Sequence, residues 1–250
     1  MLANIQRAIR AKASAERARV SRSFFKTGRG EYGEGDRFLG LTVPEQRAIA
    51  KRFHACSERD IRVLLVSPWH EERFVALVIL AERFVGGDGA ARDRIVRQYL
   101  AIIPRSVNNW DLVDATAYNI VGEHVVDQMR REKRAGLLRP RPRNDRIPIL
   151  DRLARSRDLW ERRVAIVATL ACTVRGNFEP TFRIADMLIA DPHDLIHKAT
   201  GWMLREVGKR DRRVLERFLA RRAARMPRTM LRYAIERFPE LKRRQYLRVR

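Results

Sequence analysis

Apolar residues recur three and four positions apart along nearly the whole chain, the spacing of helices that bury one face. There is no convincing run of alternating β-branched residues, so no strand is predicted. Helix starts are frequent: Thr42-Val-Pro-Glu45 has the form of a capping box with proline in the first turn, Ser57 to Asp60 is a weaker version, and a helix is expected to start at Asp191 in the same way. The pattern therefore predicts an all-α protein.

The more apolar of these helices return at regular intervals. They begin at Glu72, Trp110, Glu161, Ile196 and Met230, with starts roughly 34 to 51 residues apart, close to the period of two-helix HEAT-like repeats. We therefore expect a single domain over residues 1–250, an α-α superhelix or solenoid of HEAT-like repeats with one helix of each pair on a concave wall. A Gly-rich loop at 28–35 and an Arg/Pro-rich insertion at 130–148 interrupt the predicted repeats.

Positive charge is in large excess, which points to a polyanionic partner. The chain has 53 Lys plus Arg against 30 Asp plus Glu, a formal net charge of +23, and the excess is strongest in residues 201–250. Such charge attracts nucleic acid, and unopposed like charge destabilises a compact state unless something neutralises it. Compositional drift is the alternative, because arginine supplies most of the basic residues, but drift does not account for the scarcity of acids.

The surroundings of the cysteines and the length of the apolar runs indicate the cellular compartment of the protein. Cys56 and Cys172 both lie in apolar stretches, which is typical of reduced core thiols. The longest apolar run, residues 75–81, is far shorter than the roughly 18 to 20 residues that span a bilayer, and residues 1–7 do not resemble a signal peptide. We expect a cytoplasmic protein with no membrane partner.

Two short motifs match the patterns of ligand-binding sites but are better explained as structural features. Residues 28–33 formally match the dinucleotide fingerprint G-x-G-x-x-G, but a helical pattern precedes them where the fingerprint needs a strand, so a surface loop is expected. His193 and His197 have the spacing of two metal ligands on a helix, yet no obvious third ligand accompanies them, and we expect neither a metal nor a cofactor. No P-loop and no G-x-S-x-G motif is present, which disfavours NTPases and serine hydrolases.

A more informative pattern pairs an aromatic ring with a carboxylate. Trp110 and Asp114 lie four residues apart and therefore share one face of a helix. In the structural alternative, Trp110 packs between helices and Asp114 forms an ion pair with a nearby arginine. In the functional one, both face a ligand.

Later helices carry similar combinations. Trp202 follows Lys198 by four residues, and Gly201 beside it lets another backbone approach. Arg162 and Arg163 lie on the repeat between the two tryptophans. Lysine and arginine beside an indole suit contact with phosphate and sugar, although core packing of Trp202 is an alternative. One inward-facing site in each of three successive repeats would form a reaction centre on a concave wall.

At these positions the sequence resembles the AlkD-like DNA alkylation repair family, whose members are HEAT-like-repeat DNA glycosylases that excise alkylated purines. The resemblance covers most of the chain, in motifs at residues 38–47, 110–114, 160–163 and 201–206. It implies that Asp114 is the catalytic aspartate, that Trp110 and Trp202 face the sugar, and that Arg163 is the arginine of the catalytic cleft. It also indicates a set of DNA-binding residues, namely Phe24, Thr42, Arg47, Arg162, Lys198 and Arg205.

The resemblance further implies a reaction and a partner. The partner is double-stranded DNA that contains alkylated bases, bound by a monomer that associates with the nucleoid. An N3- or N7-alkylated purine is already cationic and leaves without protonation, so the enzyme stabilises the oxocarbenium-like deoxyribose with a carboxylate and indole faces. Asp114 would also orient the attacking water.

Two residues depart from the family pattern. Phe24 stands approximately where active relatives place a tyrosine, and Asn109 replaces a further tryptophan. These departures leave a second function open, in which a HEAT-like protein binds damaged, branched or distorted DNA without cutting a glycosidic bond. A protein-binding scaffold with little affinity for DNA is a third.

Overall fold

The computed structural model describes residues 1–135 and 149–248, which form helices joined by turns and contain no strand. The all-α prediction is confirmed, and the architecture is of the helical-repeat kind. The apolar segments expected to begin at 72, 110, 161, 196 and 230 all begin in helices, and the last of them continues beyond the end of its helix at Ala234. The predicted insertion at 130–148 starts inside a helix and, from residue 136, lies outside the described residues.

The chain divides into two compact units, Met1–Thr116 and Ala117–Arg250. The single-domain organisation over 1–250 stays a prediction. The first unit contains seven helices in its described residues: α1 (Leu2–Arg10), α2 (Ala15–Phe24), α3 (Val43–Arg52), α4 (Glu58–Leu65), α5 (His70–Gly86), α6 (Gly89–Ser106) and α7 (Trp110–Thr116).

The second unit opens with a π-helical turn, Tyr118–Gly122. Its described α-helices are α8 (Glu123–Arg134), α9 (Ile149–Ala154), α10 (Leu159–Ala168), α11 (Leu170–Thr173), α12 (Glu179–Met187), α13 (Asp194–Arg210), α14 (Arg212–Ala220), α15 (Arg228–Ala234) and α16 (Glu240–Arg248). A short 3-10 turn, Ala223–Arg225, precedes α15.

Helix α5 is the centre of the first unit. Every residue from His70 to Ala81 is buried, and the helix packs against α3, α4, α6 and α7. Its first four residues, His70-Glu-Glu-Arg73, are nevertheless polar or charged. Burying such groups is costly unless each finds a partner inside the protein, so the start of α5 has to be a site of paired charges.

Helix α13 is the centre of the second unit, where it packs against α10, α14 and α15. At Gly201, an added Cβ would lie 2.5 Å from both the Met230 carbonyl oxygen and the Tyr233 Cβ. The expectation that glycine lets another backbone approach here is confirmed. A larger side chain at this position would push α13 and α15 apart.

Two of the predicted helix starts are confirmed in full. Thr42 and Ser57 are N-caps, and each forms a reciprocal capping box with the acid three residues later. The third begins later than predicted, because α13 starts at Asp194 with His193 as its N-cap, while Asp191 accepts a hydrogen bond from the His193 amide at 2.9 Å.

The Gly-rich segment is a loop, as expected. Helix α2 precedes it, turns occupy residues 28–35, and no helix opens from it. Gly33 folds back on the end of α2: its amide donates to the Lys26 carbonyl at 2.9 Å, and an added Cβ would lie only 2.3 Å from the Phe25 carbonyl oxygen. Glycine at 33 therefore lets the loop close tightly against Phe25.

Both cysteines are buried free thiols, in agreement with the sequence. Burial raises the pKa of Cys56 and raises that of Cys172 to about 11, so neither is a reactive thiolate. Among the described residues, no helix combines the length and apolar character needed to cross a membrane.

The close approach at Gly201 predicts a measurable packing cost. Gly201→Ala should lower the free energy of unfolding by about 1 to 3 kcal/mol, because its methyl group would overlap a carbonyl oxygen of α15. Gly86→Ala is the matched control: it also lies in a helix, but nothing surrounds its added Cβ within 4 Å, so it should raise stability by up to about 1 kcal/mol. Urea unfolding of both variants measures this, and equal effects would contradict the packing argument.

Candidate functional site

Helix α7 carries Trp110 and Asp114 one turn apart, both half-buried. At its C-terminal end, α7 is attached to α6 through Thr116. The Thr116 hydroxyl donates to the Leu112 carbonyl at 2.6 Å. Because a hydroxyl has only one proton, Thr116 accepts from the Tyr99 hydroxyl of α6 at 2.9 Å. Burial raises the pKa of Tyr99, and the negative charge of Asp114 adds to the shift. The Asp114 carboxylate is thus close enough to affect the Tyr99 hydroxyl electrostatically, where α6 contacts α7.

The Trp110 indole rests on a stack of aromatic rings. Phe25 stacks on it with centroids 5.3 Å apart and planes 25° apart, and Phe38 stacks on Phe25 at 5.0 Å. Phe24, which is 60% exposed, meets the edge of the indole at 5.6 Å. The structure therefore brings together two of the predicted site residues, Phe24 and Trp110, around Phe25, which the sequence analysis did not single out.

Beneath this stack, His70 lies between two carboxylates. Its Nδ1 is 3.1 Å from Asp36 Oδ2, and its Nε2 is 2.8 Å from Asp111 Oδ2. The imidazole also stacks on Phe38, with centroids 4.6 Å apart. Asp111 is the residue directly after Trp110, so this contact reaches the first turn of α7.

Two further side chains complete the buried cluster. Arg73 donates to Asp36 Oδ1 at 2.6 Å and to the Ser67 carbonyl at 2.9 Å. Asn109 donates to Asp36 Oδ2 at 3.4 Å, and its own Oδ1 accepts the Trp110 backbone amide at 2.9 Å. Asn109 is therefore a fully buried link between Asp36 and the start of α7.

The charges of this cluster determine its protonation. Burial alone would lower the pKa of His70, but the charge of Asp111 and hydrogen bonds to Asp111 and Asp36 outweigh it and raise the pKa to about 9. Burial would likewise raise the pKa of Asp36, and the hydrogen bond from His70 with the charge of Arg73 lowers it instead. At neutral pH, His70 is a cation and Asp36 an anion.

Glu71 anchors the segment before α3. Its buried carboxylate accepts the amides of Leu39, Gly40 and Leu41 at 2.7 to 3.3 Å. Thr42 follows directly as the exposed N-cap of α3, and its hydroxyl donates to Glu45 at 2.9 Å. Arg47 is exposed on α3, with its guanidinium 5.9 Å from the centre of the Phe74 ring. The two predicted DNA contacts on this segment therefore start from a rigid backbone.

In the second unit, the predicted residues gather around the N-terminal half of α13. Arg163 on α10 is buried and donates to the Leu195 carbonyl at 2.6 Å. Arg162 pairs with Asp191 at 2.6 Å. Trp202 on α13 is half-buried, and Lys198 one turn earlier pairs with Asp194 at 2.8 Å. Arg162 thus binds the segment that precedes α13, and Arg163 binds the first turn of α13 itself.

Arg205 and the two histidines have structural partners in the same unit. Arg205 on α13 forms an ion pair with Glu236. His193 accepts the Leu195 amide through Nδ1 at 3.1 Å, and His197 Nε2 lies 2.5 Å from the Asp191 carbonyl oxygen. Both histidines therefore bind the backbone around the start of α13. In residues 1–135 and 149–248, no group of three His, Cys, Asp or Glu residues is placed to hold a metal ion.

Sequence reasoning missed the cluster of Asp36, His70, Arg73 and Asp111. These residues are far apart in the chain: 34 residues separate His70 from Asp36, and 41 separate it from Asp111. One signal was present, since four polar or charged residues, His70 to Arg73, directly precede the most apolar run of the sequence. Charged residues in a buried helix need buried partners. The sequence therefore predicts a cluster of charges here, but not which residues form it.

His70 predicts a pH dependence of stability. Its folded pKa of about 9 lies above the ordinary 6.5, so its stabilising contribution is complete below pH 6.5 and is lost as pH rises through 9. Urea unfolding should show the free energy of unfolding falling by up to about 3 kcal/mol across this window. His70→Gln should remove the fall, and His54→Gln, at an exposed histidine, should keep it. A His70→Gln profile parallel to that of the wild type would contradict the assignment.

Comparison with known proteins bears on the family. A model of the DNA alkylation repair enzyme family matches residues 5–238, while a search of curated proteins returned no match. The chain is also similar to a solved structure described as a predicted DNA alkylation repair enzyme from Enterococcus faecalis, with a TM-score of 0.69, 18% identity, and coverage of 92% of this chain and 98% of that one. That likeness concerns the fold. Because the family model spans nearly the whole chain, as the motifs predicted, this protein belongs to the DNA alkylation repair enzyme family.

Proposed function

We propose that this protein is a DNA N-glycosylase that excises cationic N3- and N7-alkylated purines from double-stranded DNA. The observation that carries the proposal is the pairing on α7, where Asp114 lies one turn from a Trp110 indole that is backed by stacked rings. Family membership supports DNA as the partner. The net charge of +23 supports it as well, because a basic surface gains free energy by releasing counterions from DNA.

Excision of a cationic purine requires few catalytic groups. The alkylated purine is already positively charged, so its glycosidic bond breaks without a general acid, and positive charge then develops on the deoxyribose. A carboxylate stabilises that charge through space, and its effect grows where water is excluded. In the proposal Asp114 supplies this carboxylate and orients the water that attacks the anomeric carbon.

The aromatic groups have a complementary role. An indole face attracts a cation through its quadrupole, and a half-buried ring keeps water away from the reacting sugar. Phe25 stacks on the Trp110 indole and holds the ring in place. In the proposal, the indole can therefore present its other face to the sugar. Phe24 lacks the hydroxyl of a tyrosine, and in the proposal its exposed ring contributes apolar contact with the DNA.

In the second unit, the proposal assigns contact with DNA to Trp202 and its surroundings. Trp202 has the same half-buried character as Trp110. Lys198 and Arg205 lie on the same helix and would meet DNA phosphates once their present acid partners are exchanged for them. Arg162 holds the segment before α13, and Arg163 holds the first turn of α13. The role of Arg163 in a catalytic cleft stays a prediction.

The test of the activity is release of free base. Asp114→Asn should keep DNA binding and lose on the order of 10² to 10³-fold in the rate of excision from N7-methylated DNA, since it removes a charge that is needed only in the transition state. Free methylpurine is quantified by chromatography, with spontaneous loss subtracted from a sample without protein.

Glu82→Gln is the matched control, because it makes the same chemical change at an exposed residue of α5. It should excise at the wild-type rate. Unchanged release by Asp114→Asn would refute the assignment. Binding of damaged DNA by a wild-type protein that releases no base would favour the non-catalytic alternative.

A second prediction concerns affinity rather than chemistry. Arg47→Ala should reduce the slope of log K against log salt by about 0.9 if Arg47 neutralises one phosphate. The Thr42 capping box does not involve the Arg47 side chain, so α3 should stay intact. Titration of duplex DNA at several salt concentrations measures the slope, with Asp114→Asn as a control that keeps it. A wild-type protein with little affinity at physiological salt would instead favour a protein-binding scaffold.

A further inference from the structure

His70 is a buried titratable group that the proposed chemistry does not use. Its side chain is 3% exposed, and a carboxylate oxygen lies within hydrogen-bond distance of each ring nitrogen. Neutral imidazole has a single N–H and can donate to only one of them, whereas the imidazolium donates to both. The geometry therefore calls for a buried cation at this position.

We propose that His70 is a positioning residue, which orients Trp110 and Asp114 by bridging Asp36 and Asp111 at the start of α7. The proposal rests on the function proposed above, since the groups it orients are those assigned to the glycosylase. His70 itself is too deeply buried to touch DNA.

The residues on both sides of Trp110 are tied to this bridge. Asp111, directly after the tryptophan, accepts from His70 at 2.8 Å. Asn109, directly before it, binds the Trp110 amide through Oδ1 and donates to Asp36, the other carboxylate on His70. The backbone at Trp110 is therefore fixed from two directions, and Asp114 lies one turn further along the same helix.

The imidazole is also part of the ring stack that supports the indole. His70 stacks on Phe38 at 4.6 Å and lies 5.2 Å from Phe25, and Phe25 stacks on Trp110 at 5.3 Å. A shift of the imidazole would be passed to the indole through Phe25 as well as through Asp111. Close-packed interiors transmit such shifts because they have no free volume to absorb them.

The charges near His70 are balanced. Asp111 faces it from α7, Asp36 from the loop before α3, and Arg73 lies one turn along α5. The neighbouring acids of α5 face elsewhere: Glu71 binds the backbone of residues 39–41, and Glu72 binds Gln6 and Arg10 of α1. Two anions therefore meet two cations, and loss of the His70 proton would leave a buried carboxylate without compensation.

The decisive experiment changes the charge opposite His70 and keeps the contact. In Asp111→Asn the amide oxygen still accepts from Nε2, but the charge that holds the proton is gone, so His70 should titrate closer to its ordinary pKa of 6.5. Excision of methylated purines should then be close to wild type at pH 6 and about tenfold slower in kcat at pH 8, with KM little changed. The wild type should keep its kcat to about pH 9.

Glu82→Gln again serves as the matched control and should have the wild-type pH profile. His70→Gln, which cannot be protonated, should have a reduced kcat with no alkaline decline of its own between pH 6 and 9. An Asp111→Asn profile that is uniformly lowered or unchanged, instead of displaced toward neutral pH, would overturn the proposal.

A readout independent of activity separates failure of this inference from failure of the proposed function. The protein has four tryptophans, and 5-fluorotryptophan labelling gives each a fluorine signal, with Trp110 assigned from Trp110→Phe. The Trp110 signal should titrate near pH 9 in the wild type and nearer 6.5 in Asp111→Asn, while those of Trp160 and Trp202 should not. A Trp110 signal insensitive to pH would overturn the positioning role, whether or not the protein releases base or His70→Gln folds.

Discussion

The bridge from Asp36 through the His70 imidazolium to Asp111 is the interaction on which the arrangement of the first unit depends. It lies at the start of α5, the helix around which that unit is built; His70 and Asp36 are buried, and Asp111 is largely covered. A buried ion cluster of this kind adds little net stability compared with an apolar core, but breaking it is costly, because a charge is left without a partner. The bridge therefore favours a placement of α7 in which Asp111 faces His70, because any other placement would leave the buried imidazolium with one carboxylate partner fewer.

That specificity matters for the proposed chemistry because the substrate supplies much of the driving force. A purine that is already cationic needs no acid, so the protein has only to hold a carboxylate and an aromatic face at a defined distance from the sugar. Errors of about 1 Å in such groups cost large factors in rate. Asn109 meets this requirement, because it is fully buried and its side chain binds the Trp110 backbone amide.

Several features were readable from local sequence. The capping boxes at Thr42 and Ser57 depend on residues three positions apart, and the amphipathic helices on positions three and four apart, so both are encoded within one or two turns. The shared face of Trp110 and Asp114 is of the same kind. The start of α13 was misplaced because Asp191 binds the His193 amide and an arginine of α10 instead of capping the helix, and His193 is the N-cap.

The sequence by itself thus determined the helical class, the family and the residues that share a helix face, because these follow from short-range periodicity and from motifs. Only the tertiary structure decided which charges meet inside the protein. Asp36, His70 and Asp111 come from a loop and two helices, and no periodicity relates residues separated by 34 and 41 positions. Their meeting, and the protonation that follows from it, depends on how α5 is buried, a property of the packed fold and not of any single segment.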